Sequence, residues 1–263
     1  MSGVPVWPEV DWTRPWLQPW RAAGEPLLNR ARQRGLVAAL NEALLEPGKA
    51  PVVLAAGHLH FVAQGELPRG EAYEAHIAST AGVPTRDNLH DFFNGLAWLV
   101  HPALKRRLNE LQNLQIGAAA PGTQRGAARD ALTLFDENAA LFAATAVIAD
   151  ALLQRDWQAL FVTHRSAWAT LPPPLLFGHA LLEKLVQPRK AITAHVWILP
   201  RDVQLERGAL DCLSVQALAD KPFLPLPVLG VPGWWSGNEE PGFYNDAAIF
   251  RRPAMARVKP PPE

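Results

Sequence analysis

The segment PTRDNLHDFFNGLAWLVHP, residues 84–102, predicts a helix that the rest of the chain encloses. On a helical wheel of about 100° per residue, its apolar side chains cover most of the circumference. These side chains are Leu89, Phe92, Phe93, Leu96, Leu99, Val100 and, past Pro102, Leu104. A surface helix carries a single apolar stripe, so this helix requires a core on most of its sides. A chain of 263 residues is long enough to form such a core.

The rest of the wheel is a polar stripe, which consists of His90, Asp91, Asn94, Trp98, His101, Lys105 and Asn109. Two explanations remain open. Asn88 and Asp91 have the spacing of a helix capping box, and a polar stripe is commonly the solvated face of its helix. However, the stripe holds His, Asp and Asn rather than the Glu and Lys of solvated faces. When buried, such side chains need partners or a change of protonation, which makes the stripe a candidate active site.

The chain as a whole is predicted to be one α+β domain spanning residues 1–263, mostly helical, with a small set of short strands or hairpins. Helices are predicted at 26–46, at 88–115 with a kink at Pro102, at 145–169 with a break near Arg155 and Asp156, and at 177–186. Strands are predicted at 52–56, 58–64, 72–79 and 192–199, and a loop at 118–126. Residues 131–144 fit either one helix or a hairpin. We favour the hairpin, because Asp136, Glu137 and Asn138 favour a turn.

Both termini are rich in proline and tryptophan and are predicted to be irregular. Residues 1–22 contain four prolines with Trp7, Trp12, Trp16 and Trp20, which indicates an extended arm whose indoles pack on the body. Exposed indoles would instead mark a partner surface. Irregular chain is expected from Phe223 onward, and residues 255–263 are expected to form a disordered tail.

Composition argues against several classes of protein. Lys plus Arg and Asp plus Glu both number 25, so no overall charge favours nucleic acid or an anionic membrane. The arginines of 30–34 and the cluster of 105–107 are expected to be solvated helix faces. The lone Cys212 lies among apolar residues and is expected to be a buried structural thiol. Without a disulfide framework, an apolar leader or a membrane span, the chain is expected to be cytoplasmic.

Two further polar groups lie outside the stripe. The first is Arg129, Asp130, Asp136, Glu137 and Asn138, where a carboxylate could bind a divalent cation or act as a base. The second is His179, Glu183, Arg189, Lys190 and His195. His179 and Glu183 are four residues apart, which suits an ion pair or two ligands of one metal. His58 and His60 would share one face of a strand, a weak metal signal.

These groups support an enzyme hypothesis, a hydrolase or lyase acting on a small-molecule ligand with a possible divalent metal. The candidate catalytic residues are His90, Asp91, Asn94, Asp136, Glu137 and His179, and the candidate substrate-binding residues are Arg86, Asn88, Lys105, Arg129 and Lys190. The candidate metal ligands are Asp91, Asp136, His179 and Glu183. No phosphate-binding glycine loop, GxSxG or CxxC motif is present. The alternatives are a binding or assembly protein that uses Trp- and Pro-rich surfaces and, next, a nucleic-acid-associated protein.

Several longer strings are distinctive as sequences. They are DWTRPWLQPWR, PTRDNLHDFFNGLAWL followed by Lys105 and Asn109, RDALTLFDENAAL, FGHALLEKLVQPRKAITAH and FYNDAAIFRRP. Together they resemble the bacterial domain of unknown function 3025 family over about residues 10–253. The resemblance implies a single full-length unit and transfers no chemistry. It also implies an aromatic residue at position 101, which makes His101 a poor catalytic candidate.

Overall fold

The computed structural model describes residues 7–118, 126–201, 204–220, 222–240 and 242–251, and the predicted tail and most of the predicted 118–126 loop lie outside these ranges. The helices of the described residues are α1 (Gln18–Arg34), α2 (Leu36–Leu44), α3 (Tyr73–Thr80), α4 (Leu89–Val100), α5 (Pro102–Ala118), α6 (Ala127–Asn138), α7 (Ala146–Leu153), α8 (Arg165–Trp168), α9 (His179–Val186), α10 (Leu205–Cys212) and α11 (Val215–Ala219). Short 3-10 turns and a π turn at Ala159–Thr163 complete the helical structure. None of these described helices is long and apolar enough to cross a membrane.

The strands are short and form three small sheets. They are β1 (Val53–Leu54), β2 (Gly57–His58), β3 (His60–Ala63), β4 (Gly82–Thr85), β5 (Ala139–Ala143), β6 (Leu175–Leu176), β7 (Thr193–Leu199) and β8 (Phe223–Pro227). The first two strands pair with each other, and β3 runs parallel to β4. The largest sheet has the order β6-β5-β7-β8, in which only β5 and β7 are parallel. The fold is α+β, as the sequence predicts.

Helix α4 occupies the centre of the larger hydrophobic core, as its apolar circumference requires. Phe92, Phe93 and Leu96 are fully buried, and the helix packs against α1, α2, α5 and α9. The side chain of Asn88 caps the helix by accepting a hydrogen bond from the backbone N–H of Asp91 at 2.7 Å. Pro102 does not kink one long helix. It starts α5, because a proline in the first helical turn sacrifices no hydrogen bond.

The prediction of an extended N-terminal arm is wrong beyond Arg14. A 3-10 turn covers Pro15–Leu17, and α1 then begins at Gln18. Pro15 and Pro19 occupy the first turns of these helices, where the missing N–H is tolerated. The indoles of this segment pack inward, and the buried ones are Trp12, Trp16 and Trp20. The predicted 26–46 helix is two helices, because Gly35 has a φ of 81° and ends the first.

Residues 72–79 form helix α3, so the strand prediction there is wrong. Tyr73 and Ile77 lie one turn apart on the face that packs inward, while Ser79 and Thr80 are exposed. Only His76 and Ile77 are fully buried, and Tyr73 is half-buried one turn before Ile77. Helix α3 contacts α5, and this contact brings Tyr73 to the region of the candidate site.

The hairpin predicted at 131–144 is also wrong. Helix α6 ends at Asn138, and β5 starts at Ala139 without a turn between them. Asp136 favours a turn only when its carboxylate bonds its own backbone, and here the carboxylate bonds the Lys105 ammonium. The residues that resembled a turn therefore belong to the last turn of a helix.

The remaining predictions have mixed outcomes. The break near Arg155 is confirmed, because this residue has a φ of 50° between α7 and the π turn. The helix at 177–186 and the strand at 192–199 are confirmed as α9 and β7. The chain after Phe223 first adds β8 to the largest sheet and only then becomes irregular. Cys212 is exposed at the end of α10, so the prediction of a buried thiol is wrong.

Candidate functional site

One cleft collects most of the predicted site residues. It has a volume of about 440 Å³ and lies among helices α3, α4, α5, α6 and α9. Eight of the predicted residues line it: Arg86, His90, Asp91, Asn94, Arg129, Asp136, Glu137 and His179. These residues come from three separate stretches of chain, and a concave site with converging polar groups is the usual form of a ligand site.

Two histidines make the central contact of the cleft. The Nε2 atoms of His90 and His179 lie 3.1 Å apart, and the rings meet edge to face. The Nδ1 atom of His90 donates to Glu183 Oε2 at 3.0 Å. The Nδ1 atom of His179 donates to the main-chain oxygen of Asp136 at 2.8 Å. Each ring thus has one nitrogen bound to an acceptor and its other nitrogen directed at the second ring.

This contact constrains the protons of the two rings. A carbonyl oxygen and a carboxylate only accept hydrogen bonds, so both Nδ1 atoms carry a proton. With one proton on each Nδ1 atom, the two Nε2 atoms point their lone pairs at each other. A third proton, shared by the two rings, would lie between them. Burial lowers the pKa of His179 to about 4. His179 consequently stays neutral near pH 7, with its Nε2 atom as a hydrogen-bond acceptor.

A buried network of hydrogen-bonded side chains supports His179. Lys105 Nζ donates to Asp136 Oδ1 at 2.5 Å and to Asn94 Oδ1 at 2.8 Å. Asn94 Nδ2 in turn donates to the hydroxyl of Tyr73 at 2.9 Å. Burial alone would raise the pKa of the Asp136 carboxyl, but the Lys105 ammonium and then His179 outweigh it and hold that pKa below its ordinary value. Asp136 is thus a carboxylate fixed by two cationic or polar neighbours.

Sequence reasoning missed a second part of the site, on α3 and α5. The amide of Asn109 donates to Glu74 Oε2 at 2.5 Å, and the carboxyl group of Glu74 lines the cleft. Burial, with the charge of Asp136 adding to it, raises the pKa of this carboxyl. Burial likewise raises the pKa of the Tyr73 phenol well above its ordinary value. The missed signal was Tyr73 and Glu74 at the start of a segment interpreted as a strand.

Arg86 and Asp91 form a closed pair at the edge of the cleft. The Arg86 guanidinium bonds both oxygens of the Asp91 carboxylate, each at 3.0 Å, and the Arg86 backbone N–H adds a third bond at 2.6 Å. Asn88 is used as the cap of α4 and does not line the cleft. Asp91 and Asn88 therefore hold the start of α4 in position and leave His90 as the group of that turn that faces the second histidine.

Comparison with known families identifies the chain. A family model described as "Protein of unknown function (DUF3025)" matches residues 59–254. The chain belongs to this family. The matched range of the DUF3025 protein contains every residue that lines the cleft. Comparison with curated proteins and with solved structures gives no match.

Other predicted residues of the DUF3025 chain lie away from the cleft. Lys190 pairs with Asp246 at 3.2 Å and lies 4.4 Å from the centre of the Phe243 ring, so it fastens the C-terminal segment. His101 pairs with Glu206 at 3.1 Å. His58, His60 and His195 do not line the cleft either. Glu183 accepts a hydrogen bond from the Nδ1 atom of His90 and lines a neighbouring groove.

The surfaces proposed for the alternative functions are occupied by internal contacts. The tryptophans expected to form a docking surface include Trp12, Trp16, Trp20 and Trp234, all of which are buried. In the basic clusters, Arg30 pairs with Glu46, Arg34 with Glu42, and Arg106 and Arg107 with Glu110. These arginines therefore each have a carboxylate partner on the protein itself, and Arg106 and Arg107 share one.

The four candidate metal ligands are not gathered around one point. Within the described ranges, no three His, Cys, Asp or Glu side chains are placed to hold a metal ion together. Asp91 is bound by Arg86 and Asp136 by Lys105, so both carboxylates already have cationic partners. The chemistry of the cleft is therefore that of paired histidines and their carboxylate and lysine supports.

Proposed function

We propose that this DUF3025 protein is an enzyme, a hydrolase or lyase that acts on a small polar substrate by general acid–base catalysis. Its site is the cleft among α3, α4, α5, α6 and α9. We propose the bacterial cytoplasm as its location, because a single, exposed cysteine suits a reducing compartment. The enzyme hypothesis rests on one observation, the contact between the Nε2 atoms of His90 and His179.

His90 is the group that exchanges a proton with substrate or water. Its side chain is 35% exposed and lines the cleft, whereas that of His179 is 7% exposed. When His90 takes a proton, the new imidazolium donates to the neutral Nε2 of His179 and to the Glu183 carboxylate. Both contacts hold the ring in place, so it can act as a base and then return the proton as an acid.

The surrounding groups fix this pair. Asp136 and Lys105 hold His179 in the tautomer that leaves its Nε2 atom as an acceptor. Asn94 turns the Tyr73 hydroxyl toward the same cleft, where the neutral phenol can donate a hydrogen bond to a developing negative charge. A preorganised donor opposite a general base is the minimum that hydrolysis or elimination requires.

The proposal is tested with a substrate panel. Small carboxylic esters, amides, phosphate esters and hydroxy acids that can lose water are incubated with the parent protein and two variants. We expect turnover of at least one class, and a loss of about 10²–10⁴ in kcat/KM for His90→Gln, the usual contribution of general acid–base catalysis. The matched control is His58→Gln, which alters an exposed histidine outside the cleft and should keep the parent rate.

Nitrogen-15 NMR of the imidazoles tests the same idea without a substrate. We expect His179 to remain neutral down to about pH 4, and its Nε2 shift to change when His90 gains a proton on its own Nε2 atom. In the His90→Gln variant this second effect should disappear. Independent titrations of the two rings, together with turnover that survives His90→Gln, would show that the pair is structural.

A further inference from the structure

The cleft has a second end, two helical turns away from the histidines. Helices α5 and α6 pack together, and the contact of Lys105 with Asp136 joins the start of α5 to the end of α6. The two helices are therefore antiparallel along the cleft. Gln112 lies seven residues after Lys105 on α5, and Arg129 lies seven residues before Asp136 on α6. Both residues line the cleft. Seven residues correspond to about 10 Å of helix axis.

Gln112 is a buried amide without a protein partner. The residue is 5% exposed, and its side chain forms no hydrogen bond within the described part of the chain. Asn109, one turn earlier on α5, bonds Glu74 with its amide. Its amide atoms are reached through the cleft rather than sealed in the core, so they are free to hydrogen-bond a polar group of a ligand there.

Arg129 is the unpaired cation of the cleft. It forms no ion pair with a described residue, whereas Arg86 is closed by Asp91 and Lys105 by Asp136. The carboxyl of Glu74 lies within electrostatic reach of this guanidinium, and burial raises the pKa of that carboxyl. Arg129 and Gln112 together thus offer a cation and a neutral amide to the same space.

We propose that this end of the cleft binds the anionic group of the substrate, a carboxylate or a phosphate. The Arg129 guanidinium supplies the charge and paired donors, and the Gln112 amide adds a further hydrogen bond. The inference rests on the proposed function, because the reacting bond of the same molecule is placed at His90. The substrate is accordingly a small anionic molecule whose charged group and reacting bond lie at opposite ends of this cleft.

The test is an NMR titration of the intact protein with inorganic phosphate and, separately, with acetate, at constant ionic strength. The side-chain amide of Gln112 and the Nε–H of Arg129 are followed. We expect saturable shifts of both signals with at least one anion, and the stronger response distinguishes a phosphate from a carboxylate. Arg129→Gln should weaken binding about tenfold or more, the loss expected for a hydrogen bond to a charged group.

Two variants complete the design. Gln112→Glu places a carboxylate beside Arg129 and should abolish the shift of the Arg129 signal, while circular dichroism reports whether this variant is folded. The control Arg106→Gln removes an exposed arginine of α5 that pairs with Glu110 and should bind anions as the parent does. Shifts that stay linear, or equal affinity in the parent and in Arg129→Gln, would overturn the inference.

The titration is also run on His90→Gln. If anion binding persists there while turnover survives the same substitution, the proposed catalytic role fails and the anion site stands. If turnover depends on His90 but anions bind equally well without Arg129, the catalytic role stands and the anion site fails.

Discussion

Replacement of Lys105 by methionine should separate the contribution of its buried charge to stability from the contribution of its packing. The ammonium is 5% exposed and bonds the carboxylate of Asp136 and the amide oxygen of Asn94. Methionine keeps most of the side-chain volume but leaves Asp136 as a buried carboxylate without its cation. Removal of one partner from a buried pair costs about 3–5 kcal/mol. We expect the free energy of unfolding at pH 7 to fall by that amount.

The loss should depend on pH in a defined direction. In the parent protein the pKa of Asp136 lies below its ordinary value, so this group contributes stability above pH 3.8 that is lost as the pH falls through its folded pKa. Without Lys105, burial should instead raise the pKa of Asp136. Protonation of Asp136 then relieves the penalty, so the difference between variant and parent should shrink as the pH falls from 7 toward 4.

Urea unfolding followed by tryptophan fluorescence measures both effects. The double variant Lys105→Met, Asp136→Asn carries no buried charge at this position and should recover part of the loss. The control is Lys184→Met, which removes an exposed lysine bonded to Asn138 and should change stability by no more than about 0.5 kcal/mol. A cost below about 1 kcal/mol for Lys105→Met, or one that does not vary with pH, would refute the assignment of a buried, charge-dependent pair.

Two further predictions concern the junction of α6 and α9. The folded pKa of His179 is about 4 against 6.5 in the unfolded chain, so the parent should lose stability as the pH falls from 6.5 to 4, and His179→Gln should flatten that slope in urea midpoints measured across the range. Gly178→Ala would place a Cβ atom 2.4 Å from the backbone of Glu137 and Asn138, and should lower the free energy of unfolding by about 1–3 kcal/mol or more. Gly117→Ala lies in the last turn of α5, meets no atom within 4 Å and should leave stability equal or raise it by less than about 1 kcal/mol, so equal unfolding midpoints for the two variants would contradict this account.

Burial of α4 was predictable because it depends on the pattern of the chain alone. Apolar side chains around most of a helix require a core on most sides, and Phe92, Phe93 and Leu96 are indeed fully buried. The polar side chains left on that helix then had to lie at its boundary with other elements. For this reason His90 and Asn94 could be nominated before their partners were known.

The secondary structure was predicted wrongly where a residue type that favours turns can also end a helix. Asp136 and Asn138 have side chains that favour turns, but here they end a helix because Lys105 and Lys184 bond them from elsewhere in the chain. The segment with Tyr73 and Glu74 has no clear helical stripe of apolar residues, and only packing against α5 shows which of its positions are buried. In both places a contact between distant segments overrode the local preference.

The sequence by itself determined that an enclosed helix would carry histidine, aspartate and asparagine, and that a second histidine would lie one turn before a glutamate. Only the tertiary structure decided that His90 meets His179, that Glu183 bonds the other ring nitrogen of His90, and that Arg129 and Gln112 line the same cleft. Periodicity fixes which face of a helix is buried. It contains no information about which other face will be opposite, since that depends on how all the helices pack at once.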